Sequence, residues 1–325
     1  MGELSHEHGA ATASLRVIKP GMQTTVQDEG RWGWQASGVP VAGPMDLVSH
    51  RTANALAGNP RDAATLEVTL LGPEIEFEDD RFVAVAGADF EITVDGKAAP
   101  MHCGFAVSSG ARLRFGRRRL GARAYIAVAG GIAVEPLLGS RSTHLVSGMG
   151  GLEGRSLRSG DRLPLGAQTP RLQPSPSAAQ PIVPLPDRHA LVRVLAGPQT
   201  EHFAPDALDV LQSAPFVVGQ DSNRMGFRLD GPRLTHARGA DIISDATALG
   251  SLQVPASGQP ILLMADRQTT GGYPKLATVI SADIPLAGQL VPSDRVSFVV
   301  CTPRAAMVAL IAQEQMLMAI EAGRS

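Results

Sequence analysis

The chain has 325 residues, more than one hydrophobic core usually organises, so two domains are expected. Apolar residues make up 44%, charged residues 18%, and the formal charge is −2, which suits a globular protein and gives no bulk attraction to nucleic acid or an acidic membrane surface. The 2 cysteines form no C-x-x-C, and no apolar run reaches the roughly 18 residues of a membrane span, so zinc ribbons, redox pairs and membrane helices are excluded.

Residues 1–14 are polar and lack the basic start and apolar stretch of a signal peptide. They are expected to be a disordered tail, and with two thiols read as buried and inert the expected location is cytoplasmic. Short β-branched runs bounded by turn residues then predict strands at Leu66–Leu71, Phe82–Ala86, Phe90–Val94, Tyr125–Ala129, Leu191–Leu195, Ile261–Ala265 and Arg295–Val300. Asp95-Gly96 is a hairpin signal. Helices are expected at Met45–Leu56, Asp206–Leu211 and Ala305–Ile320. The Arg112, Arg114, Arg117, Arg118 and Arg119 run reads as a solvated strand and turn, with an anion or partner patch as the alternative. Six prolines between Gln168 and Pro186 mark a linker. The expected organisation is a tail (1–14), an N-terminal β lobe (15–167), the linker (168–186), a C-terminal β-barrel lobe (187–303) and a terminal helix (304–325) packed on its own lobe. Ser159-Gly160-Asp161-Arg162 is echoed by Pro292-Ser293-Asp294-Arg295, as two lobes of related plan would produce.

No Walker loop, G-x-S-x-G elbow or H-E-x-x-H is present, and the 8 histidines lack metal-ligand spacing, so a metal-free site is expected. The stretch from Asp266 to Lys275 is the most informative. A buried strand delivers Asp266, Arg267, Gln268, Thr269 and Thr270 to its end, and Gly271-Gly272 then permits unusual backbone angles and close ligand approach. Tyr273 and Lys275 follow. The chain uses arginine for nearly all its 29 basic residues, so a lysine here is unusual; it offers a compact charge to a phosphoryl or carboxylate oxygen. The bland alternative is a tight turn with a surface lysine. Three more loops are similar in kind: Gln27, Asp28 and Arg31 before Trp32 and Trp34; Arg141 and Ser142; and Asn223 and Arg224. The tryptophans are expected in the core or between lobes. Asp46 lies in the first turn of the predicted helix, as a site carboxylate or as a cap. Such loops bring cations and amides but few bases, which suits stabilising negative charge on oxygen.

These same loops, with Gly38-Val39-Pro40, Gly43-Pro44-Met45-Asp46 and Leu66-Glu67-Val68-Thr69, resemble the biotin-dependent carboxyltransferase / allophanate hydrolase subunit 2 family, and within it the branch formed by the C subunits of 5-oxoprolinase. The resemblance implies a mostly β fold with a few helices, two cyclophilin-like β-barrel lobes and a central cleft. It implies one component of an ATP-dependent 5-oxoprolinase that opens 5-oxoproline to glutamate with homologues of the A and B subunits, inactive without them, with ATP and Mg2+ serving the complex. Lys275, Arg267 and Asp46 would then be catalytic, and Gln27, Asp28, Arg31, Arg141, Ser142, Asn223, Arg224, Gln268, Thr269, Thr270, Gly271, Gly272 and Tyr273 would hold a small amide or lactam. The rival implied activity is carboxyl transfer to urea or a related amide from biotin on a separate carrier. A third is a non-catalytic regulator that binds a kinase-inhibitor-like partner. Ser293 departs from the family's Pro-Gly-Asp, which affects a turn and not the chemistry.

Overall fold

The computed structural model describes residues 14–168 and 182–323, so most of the proline-rich stretch and nearly all of the N-terminal tail lie outside the described residues. Alternation governs the longest strand, Arg112–Val128. Leu113 and Phe115 point into the core while Arg112, Arg114 and Arg117 stay exposed; beyond Gly121 every residue is buried. The arginine run is therefore continuous strand, without the turn expected there. Its main partner is Arg81–Val94, a single strand where two were expected, and the register slips between Gly87 and Ile92 bend the pair. Gly87 sits at φ +108°, and a Cβ on it would lie 2.4 Å from the Arg123 carbonyl oxygen. The Asp95-Gly96 turn joins Val94 to Lys97 with both residues at positive φ, as a two-residue hairpin requires.

The first lobe is a nine-stranded curled sheet. One path runs through Gln23–Gln27, Thr65–Thr69, Arg112–Val128, Glu74–Phe77, Ser14–Lys19 and Arg162–Pro164. The long strand Arg81–Val94 adds Lys97–Ala99 and Gly104–Val107 beside it. Residue 14 already belongs to a strand, so the tail ends one residue earlier than expected. The second lobe closes into a seven-stranded barrel, from His189–Ala196 through Lys275–Val279, Ser251–Gln253, Ile261–Leu263, Gly226–Asp230 and Phe216–Val218 to Arg295–Val300. Parallel pairing of His189–Val194 with Arg295–Val300 completes the ring. Phe216 and Phe298 meet edge to face at 5.8 Å in its core. Cys103 and Cys301 are unpaired and half-buried, short of the full burial expected.

The sequence echo has a structural counterpart. In the first lobe Asp161 accepts from the Arg158 amide at 2.7 Å, and Val17 donates to the Asp161 carbonyl at 2.8 Å. In the second, Asp294 accepts from the Val291 amide and Val218 donates to the Asp294 carbonyl, both at 2.9 Å. The same turn thus precedes Arg162–Pro164 and Arg295–Val300.

Among the described residues four α-helices complete the fold: α1 (Leu47–Ala57), α2 (Ala207–Ser213), α3 (Ile284–Gly288) and α4 (Pro303–Glu321). Thr302 caps α4 through its hydroxyl, and proline occupies the first turn, where no amide partner is needed. Helix α4 does not stay on its own lobe. Leu317 is buried with Val48 of α1, and the buried Arg51 of α1 reaches Glu314 at 2.9 Å and Glu321 at 2.8 Å. The expectation that α4 packs on the C-terminal lobe alone is corrected: it straps the two lobes together, because the buried guanidinium on α1 needs its carboxylates.

Arg51→Met should lower unfolding stability by about 1–3 kcal/mol, a range set by charged hydrogen bonds between partly exposed partners. Urea denaturation measures this, and an unchanged midpoint would remove the strap.

Candidate functional site

The strand Thr65–Thr69 is buried at every position and yet contains Glu67. A carboxylate there requires a cation and donors. Arg224, from the loop before Gly226–Asp230, supplies the cation: its Nη1 donates to Glu67 Oε1, and Nε and Nη2 grip Asp266 at 3.0 and 2.9 Å. Nη2 also donates to the Gly43 carbonyl at 2.6 Å. One guanidinium thus joins a first-lobe strand to the end of a second-lobe strand. Burial alone would weaken its charge, but Asp266 and Glu67 outweigh that and hold Arg224 above its ordinary pKa. Glu67 shows the mirror image: burial pushes its carboxyl up, and Arg224 with Arg123 brings it below the ordinary value.

The network continues through Tyr125, whose hydroxyl donates to Glu67 at 2.7 Å and accepts from the Asp46 amide at 2.8 Å. Burial, with Glu67 and Asp46 beside it, raises the phenol well above its usual pKa, so it stays a neutral donor. Asp46 is the N-cap of α1, accepting from Ser49 N at 2.9 Å and Ser49 Oγ at 2.6 Å. Gln289 Nε2 reaches it from the other lobe at 2.7 Å. Asp46 is fully buried, and its carboxyl is raised chiefly by that burial. Of its two sequence roles, the geometry places it as a cap and lobe bridge. Helix α3 comes so near that a Cβ on Gly288 would lie 2.3 Å from the Met45 carbonyl oxygen.

A second cluster lies in the first lobe. Asp28 accepts from Ser140 Oγ at 2.5 Å, Ser142 Oγ at 2.6 Å and Gly30 N at 3.0 Å, and also from the Arg141 amide. The fully buried Arg31 donates to the Leu137 and Ser142 carbonyls at 2.9 and 2.8 Å. Gln27 donates to the Thr143 carbonyl at 3.1 Å. The Arg141 side chain turns to the Val134 carbonyl at 2.8 Å, and Asn223 accepts from the Met225 amide at 2.8 Å to shape its turn. Most of these polar groups are occupied with one another. His144 Nε2, 3.3 Å from the Asp266 carbonyl oxygen, links the cluster to the second lobe.

The stretch from Asp266 to Lys275 therefore divides into three. Asp266 is locked on Arg224. Arg267, Gln268 and Thr269 then line a cavity of about 490 Å³ whose other walls include Trp32, Val41 and Leu249. Arg267 forms no ion pair among the described residues; it donates to the Thr247 carbonyl at 3.2 Å, and burial lowers its pKa. Gln268 donates to Gln253 Oε1 at 3.2 Å. The last part leaves this lining: Thr270–Gly271 pairs with Asp245–Ala246, Tyr273 is 40% exposed, and the buried Lys275 donates to Asp245 at 2.8 Å. Gly271 and Gly272 do not adopt positive φ, which corrects the reading of them as unusual backbone positions. A Cβ on Gly271 would lie 2.3 Å from Gln253 Nε2, so a side chain there would displace the Gln253 amide, while a Cβ on Gly272 would make only ordinary contact, 3.6 Å from the Ile242 carbonyl oxygen. Trp32 and Trp34 are 59% and 42% exposed, not core residues; Trp32 stands at the cavity mouth with its indole N–H on the Glu29 carbonyl.

Sequence reasoning gave no site role to Glu67, Tyr125, Gln289, Asp245 or Gln253. Glu67 carried a signal, a lone carboxylate in an apolar strand; the others meet their partners only through the fold.

Residues 37–300 match the family described as "Carboxyltransferase domain, subdomain A and B". The chain is 40% identical to the 5-oxoprolinase C subunit of Escherichia coli (strain K12), over 91% of this chain and 94% of that protein. It is 34% identical to a putative urea carboxylase of Emericella nidulans over 88% of this chain, which spans only 24% of that longer protein. The crystal structure of the Kluyveromyces lactis urea carboxylase superimposes with a TM-score of 0.89 at 29% identity, covering 96% of this chain and 30% of that one.

Arg224→Met leaves two buried carboxylates without their cation and should cost about 3–5 kcal/mol, with part recovered by adding Glu67→Gln. Urea melts of the single and double variants decide this, and strictly additive losses would count against the bridge. Acid should also weaken the fold. His50 of α1 is buried against Thr65 and Tyr125, and burial lowers its pKa from 6.5 to about 4. With its folded pKa depressed, stability is full above pH 6.5 and falls between there and about pH 4, because only the unfolded chain takes the proton. His50→Gln should flatten that slope by up to about 1.4 kcal/mol per pH unit, and a parallel profile would dismiss the assignment.

Proposed function

The chain belongs to the family of carboxyltransferase domains with subdomains A and B, and from that premise we propose that it is the C subunit of an ATP-dependent 5-oxoprolinase, opening 5-oxoproline to glutamate together with A and B subunits. The observation that carries this reading is the 40% identity to the E. coli C subunit, running over nearly the full length of both chains. No described helix is long and apolar enough to cross a membrane.

The Arg267 cavity suits the chemistry. An unstrained lactam resists hydrolysis, and its opening needs negative charge on the carbonyl oxygen to be stabilised. Arg267 offers a guanidinium not tied to a carboxylate, Gln268 an amide, and Thr269 a hydroxyl for orientation. Trp32, Val41 and Leu249 give the cavity an apolar wall. Asp266, locked on Arg224, fixes where this loop begins. ATP, when bound to the complex, would transfer its γ-phosphoryl group to the lactam oxygen and leave as ADP. Among the described residues no three His, Cys, Asp or Glu side chains gather as a metal-ligand set. Lys275, held by Asp245, would contribute only if that carboxylate moves.

A second reading, carboxyl transfer from biotin on a separate carrier to an amide, draws on the match to urea carboxylase. The same guanidinium and apolar wall would then receive the carboxylated ureido ring.

Purified with its A and B partners, the chain should support ATP-dependent glutamate formation from 5-oxoproline. Arg267→Gln should lower kcat/KM by about 10²–10³-fold while the complex still assembles. A folded, complete complex without this activity would sink the reading, and carboxyl transfer from free carboxybiotin to urea would install the second one.

A further inference from the structure

A second recess lies on the seam between the lobes and shares no lining residue with the Arg267 cavity. It consists of two joined hollows of about 470 and 430 Å³ that meet at Arg188 and Ser293. Arg118 enters from the first lobe, and Arg188 and Arg295 from the second. Arg118 donates to the Gly121 carbonyl at 2.6 Å, and none of the three forms an ion pair among the described residues. Arg51, Arg81, Arg112, Arg155, Arg193 and Arg224, by contrast, grip carboxylates. Two acids share the recess, and the charges of Arg118 and Arg188 act on one of them, Asp294. Asp294 is buried and turned to the Val291 amide at 2.9 Å, and Asp187 is exposed.

The backbone gives an independent sign. Arg188 and Ser293 both sit at positive φ, +60° and +74°, where a side chain carries a conformational cost. The equivalent turn of the first lobe places Gly160 there, at φ +91°. The second lobe thus keeps a hydroxyl and a guanidinium in the recess against local preference. Ser293 Oγ accepts from Gln220 at 3.0 Å, which leaves its own O–H to donate.

We propose that this recess binds the polyphosphate chain of a small phosphorylated ligand of the nucleoside triphosphate class, with Arg118, Arg188 and Arg295 as the cradle and Ser293 as a hydroxyl donor. Guanidinium forks match phosphate oxygens, and three of them exceed what a single carboxylate engages. The combined hollows have the size of a small-molecule site, and Leu120 and Pro292 give them an apolar wall. The assignment rests on these residues and not on the oxoprolinase reading, so either stands if the other fails.

Calorimetric titration of the full chain with sodium tripolyphosphate, ATP and adenosine tests it. Tripolyphosphate and ATP should bind, adenosine should not, and affinity should fall as salt is raised. Arg188→Gln and Arg295→Gln should each weaken tripolyphosphate binding about 10-fold with an unchanged melting temperature, and Arg188→Lys should lose less. Arg267→Gln should bind tripolyphosphate like the wild type. The proposal is overturned by a wild-type chain that ignores tripolyphosphate, by adenosine binding as well as ATP, or by folded variants that bind as the wild type does. It also falls if the variants keep tripolyphosphate but lose the partner proteins, which would make the recess a contact for an acidic protein surface.

Discussion

One guanidinium holds the two halves of this protein in register. Arg224 is buried between Glu67 of the first lobe and Asp266 of the second, so each lobe carries a charge that only the other can compensate. Buried ion pairs add little net stability compared with well-packed apolar residues, but they are demanding about geometry. Glu67 has further obligations to the Met45 amide and the Tyr125 hydroxyl, and Arg224 to the Gly43 carbonyl. Small displacements of one lobe against the other would break several of these bonds together. The Arg267 cavity has walls from both lobes, and its shape depends on this fixed relation.

The lobes are variations on a plan. Both lead into a closing strand with the same aspartate-locked turn, but one ends as an open curled sheet and the other as a closed barrel. The difference follows from the two long strands Arg81–Val94 and Arg112–Val128, whose mutual pairing extends well beyond what a small barrel accommodates. The barrel strands are short, none exceeding the eight residues of His189–Ala196, and a tight ring forms from them.

Strand-rich architecture and three of the helices were legible because their signals are local: β-branched runs between glycines, a capping residue, an apolar stripe. The end of Arg295–Val300 needed no adjustment, whereas the long strands were split because alternation fades where both faces are buried. The polar loops were visible as clusters, and several do converge on Asp266. Their division of labour was not visible. A buried arginine and an exposed one look alike in sequence, so Arg224 and Arg31 were expected to bind substrate beside a catalytic Arg267, although the structure ties both into hydrogen bonds within the protein. Glycine was misread for a related reason. Gln253, eighteen positions earlier, lies against Gly271, and nothing nearby in the chain announces that contact.

Helix α4 also sets a timetable. Arg51 and Glu314 are separated by 263 residues, and the ribosome adds roughly 5–20 residues each second. During biosynthesis the first lobe therefore waits on the order of 10–50 s with a guanidinium bare of its carboxylates, and with the surface that Leu317 later covers left open. Only the translation of α4 relieves both, so the nascent protein passes through a stage in which chaperones have a defined patch to shield.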